Sequence, residues 1–419
     1  MMKKIIIYSP LKNHPPLYKR HKKIFRKITK DMTFKRELIE ARDLKNYGNF
    51  KQALAIFERL YEENPEGFTY KQKVDYAWTI IKVKMQDMDN IGQLREAADL
   101  ITRMLPQANL NVSRSCPYTS SVFKVLIGLY NDNKNLIAMI PWLEKLDPEL
   151  LDERPYRSHG RPQKSRRESF YNWASMAYYE NMDFERCIDV CRKGLDTLTR
   201  FQDSLDTWLH WRMAKSLKEL NRISEALLHF LEVVRIKDDW YMYREIAECY
   251  CMLKKPLETF DYLCLAILSE ESFSTKMNLY LLCYRIFKAF NNHEMALKHA
   301  QLYYLMRLEK GYHIPQDIYR LGIDETQLDK KQLEMEIIEL WAKYKYRNHE
   351  RCQGTVVNFI EEKNFGFIKT DSGRDIFFHG NEFRGDTVLV GQHVSFYVED
   401  NFDKSKNRKS QKAVIVRGE

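Results

Sequence analysis

Glycine is scarce, with 15 in 419 residues, and about half of these fall after residue 350. No glycine-rich phosphate loop, His-Glu-x-x-His helix or serine elbow is present, which excludes the commonest nucleotide, zinc-protease and hydrolase sites. The eight cysteines include no Cys-x-x-Cys pair. Most lie in helical patterns, where cysteine acts as a small apolar residue, as in a reducing compartment. Cys187 and Cys191 stand four apart and would offer half a metal site, but no histidine pair has matching spacing. Core packing accounts for them without a metal. No apolar run approaches the ~18 residues of a membrane span. The opening run Ile5-Ile6-Ile7 is too short for a signal peptide. The expectation is a cytoplasmic chain of two or three domains that carries no metal or cofactor.

Acid is nearly missing from the start. Residues 1–36 hold twelve Lys or Arg against the single acid Asp31, while the whole chain carries only +10. The basic character is therefore that of an arm, placed at residues 1–33. After His14-Pro15-Pro16, Leu17 to Ile28 fits a short basic helix with Ile24, Phe25 and Ile28 as its apolar side. Lys22, Lys23, Arg26 and Lys27 are candidate phosphate contacts. A solvated tail is the plainer reading, and a membrane surface is disfavoured by the small apolar face.

From Thr33 to Tyr346 the pattern is helical and repeats itself. In the clearest unit, Phe34 to Gly67, Ala41 lies in a first helix and Gly48-Asn49 marks a turn. Ala53, Phe57 and Leu60 face one way on a second helix, and Asn64-Pro65 ends it. This resembles a tetratricopeptide repeat, which implies small residues where paired helices touch and large ones behind them. Looser candidates centre on Ala77 with Ala97-Ala98, Val122 to Leu146, and Trp173 to Cys191. Ala214 with Ala226, Ala247 to Leu263, and Tyr284 to Tyr303 complete seven. A final helix, Asp329 to Tyr346, places Leu333, Ile337, Leu340 and Trp341 at helical spacing and caps the stack. Residues 34–350 are thus expected to form an α-solenoid, whose surface holds a partner protein or structured RNA. All seven tryptophans fall here. Core packing is their default, although Trp208, His210 and Trp211 leave room for one exposed ring.

One basic, Pro/Gly-bearing insert interrupts the repeats between Asp152 and Arg167. Arg154, Arg157, Arg161, Lys164, Arg166 and Arg167, with Tyr156 and His159 among them, suit either a flexible clamp on nucleic acid or a solvated loop.

Residues 351–419 change character. Gly354 to Ile368 and Asp375 to His379 read as short aromatic strands around the turn Asp371-Ser372-Gly373. Alternation puts Phe365 and Phe367 on one face, with Phe377 and His379 beside them. Val356, Ile368, Ile376 and Phe378 are left to build a core. Such a face stacks unpaired bases at roughly 1–3 kcal/mol each, with Lys363 meeting the backbone.

Lys363-Asn364-Phe365-Gly366-Phe367-Ile368 and Asp375-Ile376-Phe377-Phe378-His379 resemble the two nucleic-acid motifs of the cold-shock domain. Gly391 to Phe396 and Ala413 to Val416 resemble its last two strands. The resemblance implies a five-stranded OB-type barrel over about a sixth of the chain. It assigns base stacking to Phe365, Phe367, Phe377 and His379, and nucleic-acid contact to Lys363 and Asp375. The family's Lys-Trp-Phe is Val357-Asn358-Phe359 here, so a ring and a cation are missing. The aromatic that often follows the motif histidine is Gly380, and the nearest later ring is Phe383. Residues 352–419 hold ten basic and ten acidic residues, so the domain is formally neutral.

The whole is expected to be mainly α, a solenoid of TPR-like helix hairpins followed by a small OB-type barrel. It reads as a nucleic-acid-binding adaptor rather than an enzyme, stacking single-stranded RNA. One alternative ligand is single-stranded DNA or a DNA–RNA hybrid, as in an accessory subunit of a bacterial regulatory or antiviral complex. Others are a pure protein scaffold with a vestigial barrel, or a metal-independent ribonuclease built on His159.

Overall fold

Ala41 and Ala53 are both fully buried, and across them helix α1 (Pro15–Asn46) packs on α2 (Phe50–Glu63) as a hairpin. Small residues bring the backbones close, and Phe57 fills the space behind against Phe68 and Tyr76. This computed structural model describes residues 15–107, 116–132, 134–158, 161–385, 387–403 and 408–418. The side chains of 15–27, 156–162, 402, 403 and 408 lie outside that description. Among the described residues no helix is long and apolar enough to cross a membrane. The chain divides into two compact units, up to Ser216 and from Leu217 onward. The division falls within the repeats, and the barrel shares a unit with the last of them.

In the first unit, α3 (Tyr70–Lys84) and α4 (Ile91–Met104) form a second hairpin around the buried Ala77, Ala97 and Ala98. The third is truncated: α5 (Pro117–Asn131) is followed only by a 3-10 turn and the four-residue α6 (Ile140–Leu143). The insert contributes two short antiparallel strands, β1 (Tyr156–Ser158) and β2 (Arg161–Gln163). Next come α7 (Arg166–Glu180) and α8 (Phe184–Thr197), which pack together. Cys187 and Cys191 are buried here, and the Cys187 thiol donates to the Ser175 carbonyl at 3.3 Å. Helix α9 (Leu205–Glu219) begins in this unit and runs past its end at Ser216, with Trp208, His210 and Trp211 all half-buried.

The short helix expected at Leu17 to Ile28 requires correction. No proline or glycine interrupts residues 17–46, and α1 runs unbroken from Pro15, a residue suited to a helix start. The segment 15–33 is the first half of the first repeat's opening helix, not a separate short helix. The side chains of Lys22, Lys23, Arg26 and Lys27, and all of residues 1–14, lie outside the described residues.

The second unit holds α10 (Ile223–Val234), then the hairpins α11 (Trp240–Met252) with α12 (Pro256–Ile267) and α13 (Met277–Ala289) with α14 (His293–Glu309). After the short α15 (Gln316–Tyr319), α16 (Lys330–Lys345) lies on α12 and α14 and buries Leu333, Ile337 and Trp341. Leu340 is half-buried. Trp341 Nε1 donates to His299 Nε2 at 2.9 Å, while His299 Nδ1 bonds the Met295 carbonyl at 2.7 Å.

Five first helices end alike. The amide N–H of Asn49, Asp183, Arg222, Lys255 and Asn292 bonds the carbonyl five residues back, at 2.8–3.0 Å. The residue before each has positive φ: Gly48, Met182, Asn221, Lys254 and Asn291. This is the Schellman closure, which satisfies carbonyls left open at a helix end.

The barrel consists of β3 (Cys352–Ile360), β4 (Phe365–Thr370), β5 (Asp375–His379), the two-residue β6 (Phe383–Arg384), β7 (His393–Asp403) and β8 (Arg408–Gly418). The strands lie in the order β5-β4-β3-β7-β8-β6, and a β5–β8 pairing closes the five longer ones. Val356, Ile368, Ile376 and Phe378 fill the interior with Val394, Phe396, Ala413 and Val416.

The barrel sits directly on α16. Tyr346 stacks on Tyr397 with centroids 4.3 Å apart, in a buried cluster with Ala342, Val414 and Ile415. Glu399 accepts from Tyr346 Oη at 2.6 Å and pairs with Lys345. Arg417 reaches Glu339 at 2.6 Å. The seat uses β7 and β8, leaving the β3–β4–β5 face out of it.

Candidate nucleic-acid interface

A left-handed residue organises the site. Asn364 (φ 50°) follows the 3-10 turn Glu361–Lys363 and immediately precedes β4. Its carbonyl accepts from Gly380 N–H at 2.8 Å, and its amide donates to Asn381 Oδ1 at 2.8 Å. The β3–β4 turn is thereby tied to the end of β5. A Cβ on Gly380 would lie 1.8 Å from Asn364 Oδ1, so a side chain there would displace the Asn364 amide from its bond to Asn381. At Gly366 a Cβ would meet the Asn358 carbonyl at 2.2 Å, which fixes how closely β3 and β4 approach.

Register then builds three cross-strand rows. Ile360, Phe365 and His379 form one; Asn358, Phe367, Phe377 and Lys412 form the next; Thr355, Lys369 and Asp375 form the third. Paired residues share a face. Phe365, Phe367 and Phe377 are all half-buried, with centroids 5.6 Å (365–377), 6.0 Å (367–377) and 6.1 Å (365–367) apart. Edge-to-face and tilted contacts hold the rings while leaving π surface outward. His379 is exposed, and its Nδ1 accepts from Asn381 N–H at 3.3 Å, which leaves Nε2 to donate outward. Lys363 is exposed immediately before β4, and Asp375 is exposed across from Lys369.

Lys412 and Ile360 extend the face in ways the strand motifs did not signal. Lys412 arrives only through the β5–β8 closure, a pairing between segments far apart in sequence. Its Nζ lies 3.8 Å from Glu382 and 3.7 Å from Glu399. Ile360 was hidden for another reason: the irregularity between Val356 and Asn358 breaks the alternation that would otherwise send it to the core side with Val356. Phe359 stacks inward on Phe378 at 5.8 Å, and Phe383 packs on the barrel core, so neither replaces a missing ring. Glu399 is buried enough to raise its pKa, yet Lys345, Tyr346 and Lys412 outweigh this and hold it below the usual carboxylate range.

The described part of the insert is tied down at its base, whichever of a clamp or a solvated loop its tip forms. Ser165 caps α7 and shares a capping box with Glu168. Lys164 pairs with Asp203 at 2.6 Å. Arg166 donates to Ser120 Oγ at 3.2 Å and lies over the Phe123 ring. Arg167 pairs with Glu153 and donates to the Glu149 carbonyl at 2.7 Å. These three cations tie the insert to its helices, because a hairpin rooted beside a helix start places their side chains against the repeat. Arg154 is exposed. The side chains of Arg157 and Arg161, and all of His159, lie outside the described residues. Insert and arm belong to the first unit, the barrel to the second.

The 'Cold-shock' DNA-binding domain family matches residues 352–417. Cold shock protein CspC of Bacillus subtilis (strain 168) is 41% identical over 64 residues, 15% of this chain and 97% of CspC. The major cold shock protein of Streptococcus pyogenes serotype M1 is 45% identical over 52 residues, 12% of this chain and 78% of its own. Among solved structures, the apo form of RapI aligns over 75% of this chain and 88% of its own, with TM-score 0.40 and 14% identity. The human IFIT1 dimer with m7Gppp-AAAA aligns over 72% of this chain and 61% of its own, with TM-score 0.33 and 13% identity. The helical fold rests on the hairpins themselves and not on these distant alignments. Through residues 352–417, the chain belongs to the cold-shock domain family.

Proposed function

We propose that the protein is a non-catalytic adaptor that stacks single-stranded RNA on the barrel while its TPR-like repeats hold a partner protein or a structured part of the RNA. The observation that carries this reading is the cluster of Phe365, Phe367 and Phe377 on one half-exposed face, all within 6.1 Å of one another. His379 and Lys363 stand exposed beside it. Rings so placed accept bases of any sequence, and each stack contributes roughly 1–3 kcal/mol. The domain's formal neutrality gives little counterion release, so the barrel depends on stacking more than on charge. Lys22, Lys23, Arg26, Lys27 and Arg154 are proposed as electrostatic aids. A second reading, single-stranded DNA as the ligand, is favoured by the description of the matching family as DNA-binding.

The test is binding of labelled RNA and DNA oligomers to the full chain at two salt concentrations. Phe365→Ala/Phe377→Ala is expected to weaken binding by at least about thirtyfold, from two lost stacks, with the melting profile of the helices retained. Replacing Lys22, Lys23, Arg26 and Lys27 by Gln should mainly flatten the salt dependence. Parent-like binding by the double mutant would overturn the platform. No binding by the parent, even at low salt, would leave a protein scaffold.

A further inference from the structure

At one corner of the aromatic face stands an amide instead of a ring. Asn358 is exposed, and the register sets it directly across from Phe367, with Phe377 and Lys412 next in the same row. An irregularity between Val356 and Asn358 puts it there: Val356 points into the core, Val357 and Asn358 are both exposed, and Phe359 turns back in against Phe378. An extra residue in one strand re-aims the side chain that follows, a frequent device beside functional sites. The Asn358 carbonyl is pressed close to Gly366, which pins the backbone from which the amide projects. Among the described residues the side-chain amide has no hydrogen-bond partner, whereas Asn364 and Asn381 on the same rim satisfy each other.

Resting on the platform reading above, we infer that Asn358 reads the edge of the base stacked on Phe367, so that this subsite discriminates bases while its neighbours only stack. The chemistry follows from the amide. It offers one acceptor and two donors in a plane, the complement of a base edge with a donor and an acceptor side by side. Unpaired bases splayed on aromatic platforms present such edges. A ring at position 358 would add stacking to every base equally; the amide, held in one orientation on its pinned backbone, adds energy only to edges with the matching order of donor and acceptor, and that order in uracil is the reverse of that in adenine and cytosine. The row therefore exchanges general affinity for selectivity at one nucleotide, and the phosphates flanking it meet the exposed Lys363.

The experiment measures affinities of the full chain for adenine, cytosine and uracil RNA homopolymers, comparing the parent, Asn358→Ala and Asn358→Trp. The parent should separate the best from the worst homopolymer by about fivefold or more, the scale of one good bidentate base contact. Asn358→Ala should bring all three to the parent's weakest affinity, and Asn358→Trp should raise all three and level them. A parent without discrimination overturns the inference and leaves the platform standing. So does Asn358→Ala with its spread unchanged, or with all three weakened alike. If Phe365→Ala/Phe377→Ala binds like the parent, the platform reading itself fails, and this inference fails with it.

Discussion

His299 is buried with its Nδ1 on the Met295 carbonyl and its Nε2 accepting from Trp341. Burial, set only partly against the Met295 bond, brings its pKa down to about 4, whereas a free histidine titrates near ~6.5. The unfolded chain therefore takes up the proton first. The stability this site contributes is complete above ~6.5 and is lost as the pH falls towards 4. Urea unfolding followed by tryptophan fluorescence should show a loss of about 2 kcal/mol between pH 7 and pH 5 from this residue, and His299→Gln should remove that part of the slope. A slope unchanged in the variant would show that other groups carry it. Nothing in the sequence marked His299, because a lone histidine on an apolar helix becomes informative only when its partner, 42 residues away, is known. Phe365, Phe367, Phe377 and His379 were legible because strand alternation is local. Lys412 was not, because barrel closure is not local.

At the scale of elements, the repeats were legible where turn chemistry and packing agreed. Gly48 sits at φ 83°, where only glycine is at ease, and its unit was the clearest in the sequence. The equivalent positions are Met182, Asn221, Lys254 and Asn291, whose identities announce no turn except weakly through asparagine. Buried alanines such as Ala174, Ala214 and Ala247 carried the rest of the signal. The third unit blurred for another reason, since its second helix shrinks to the four residues of α6. A side chain held in the left-handed region costs about 1 kcal/mol relative to glycine. Lys254→Gly should therefore stabilise the second unit by up to about 1 kcal/mol, partly offset by glycine's extra freedom in the unfolded chain. Thermal unfolding will measure it, and a lowered midpoint would mean that Lys254 has a stabilising contact of its own.

At the scale of the whole chain, the sequence suggested a barrel held close to the repeats, since no Gly/Ser linker precedes it. The means of attachment was hidden, because Tyr346, Tyr397, Glu399 and Ile415 come together only after both parts fold. Removing the stack with Tyr346→Ala/Tyr397→Ala should let the barrel unfold in a separate transition and expose residues 347–351 to protease. Homopolymer binding on the β3–β4–β5 face should change by less than about threefold, a difference under ~1 kcal/mol. A single unchanged transition would show that the ion pairs alone hold the seat. Acid should loosen it as well. Because Glu399 is held below the usual carboxylate range, the docking energy is full above ~4.3 and declines as the pH falls through that lowered value.

The seat on β7 and β8 has a consequence for any ligand that touches both the base-stacking face and the last repeats. A barrel on a slack tether would sample many distances, and a second contact would gain a little at each of them. A barrel fixed to α16 through Tyr346 and Glu399 presents one distance and one direction. The effective concentration of the second contact is then close to maximal for a ligand of matching span and close to zero for one a nucleotide too short. The chain would measure length as well as composition: deleting a single base would abolish the second contact, whereas inserting one would weaken it only gradually.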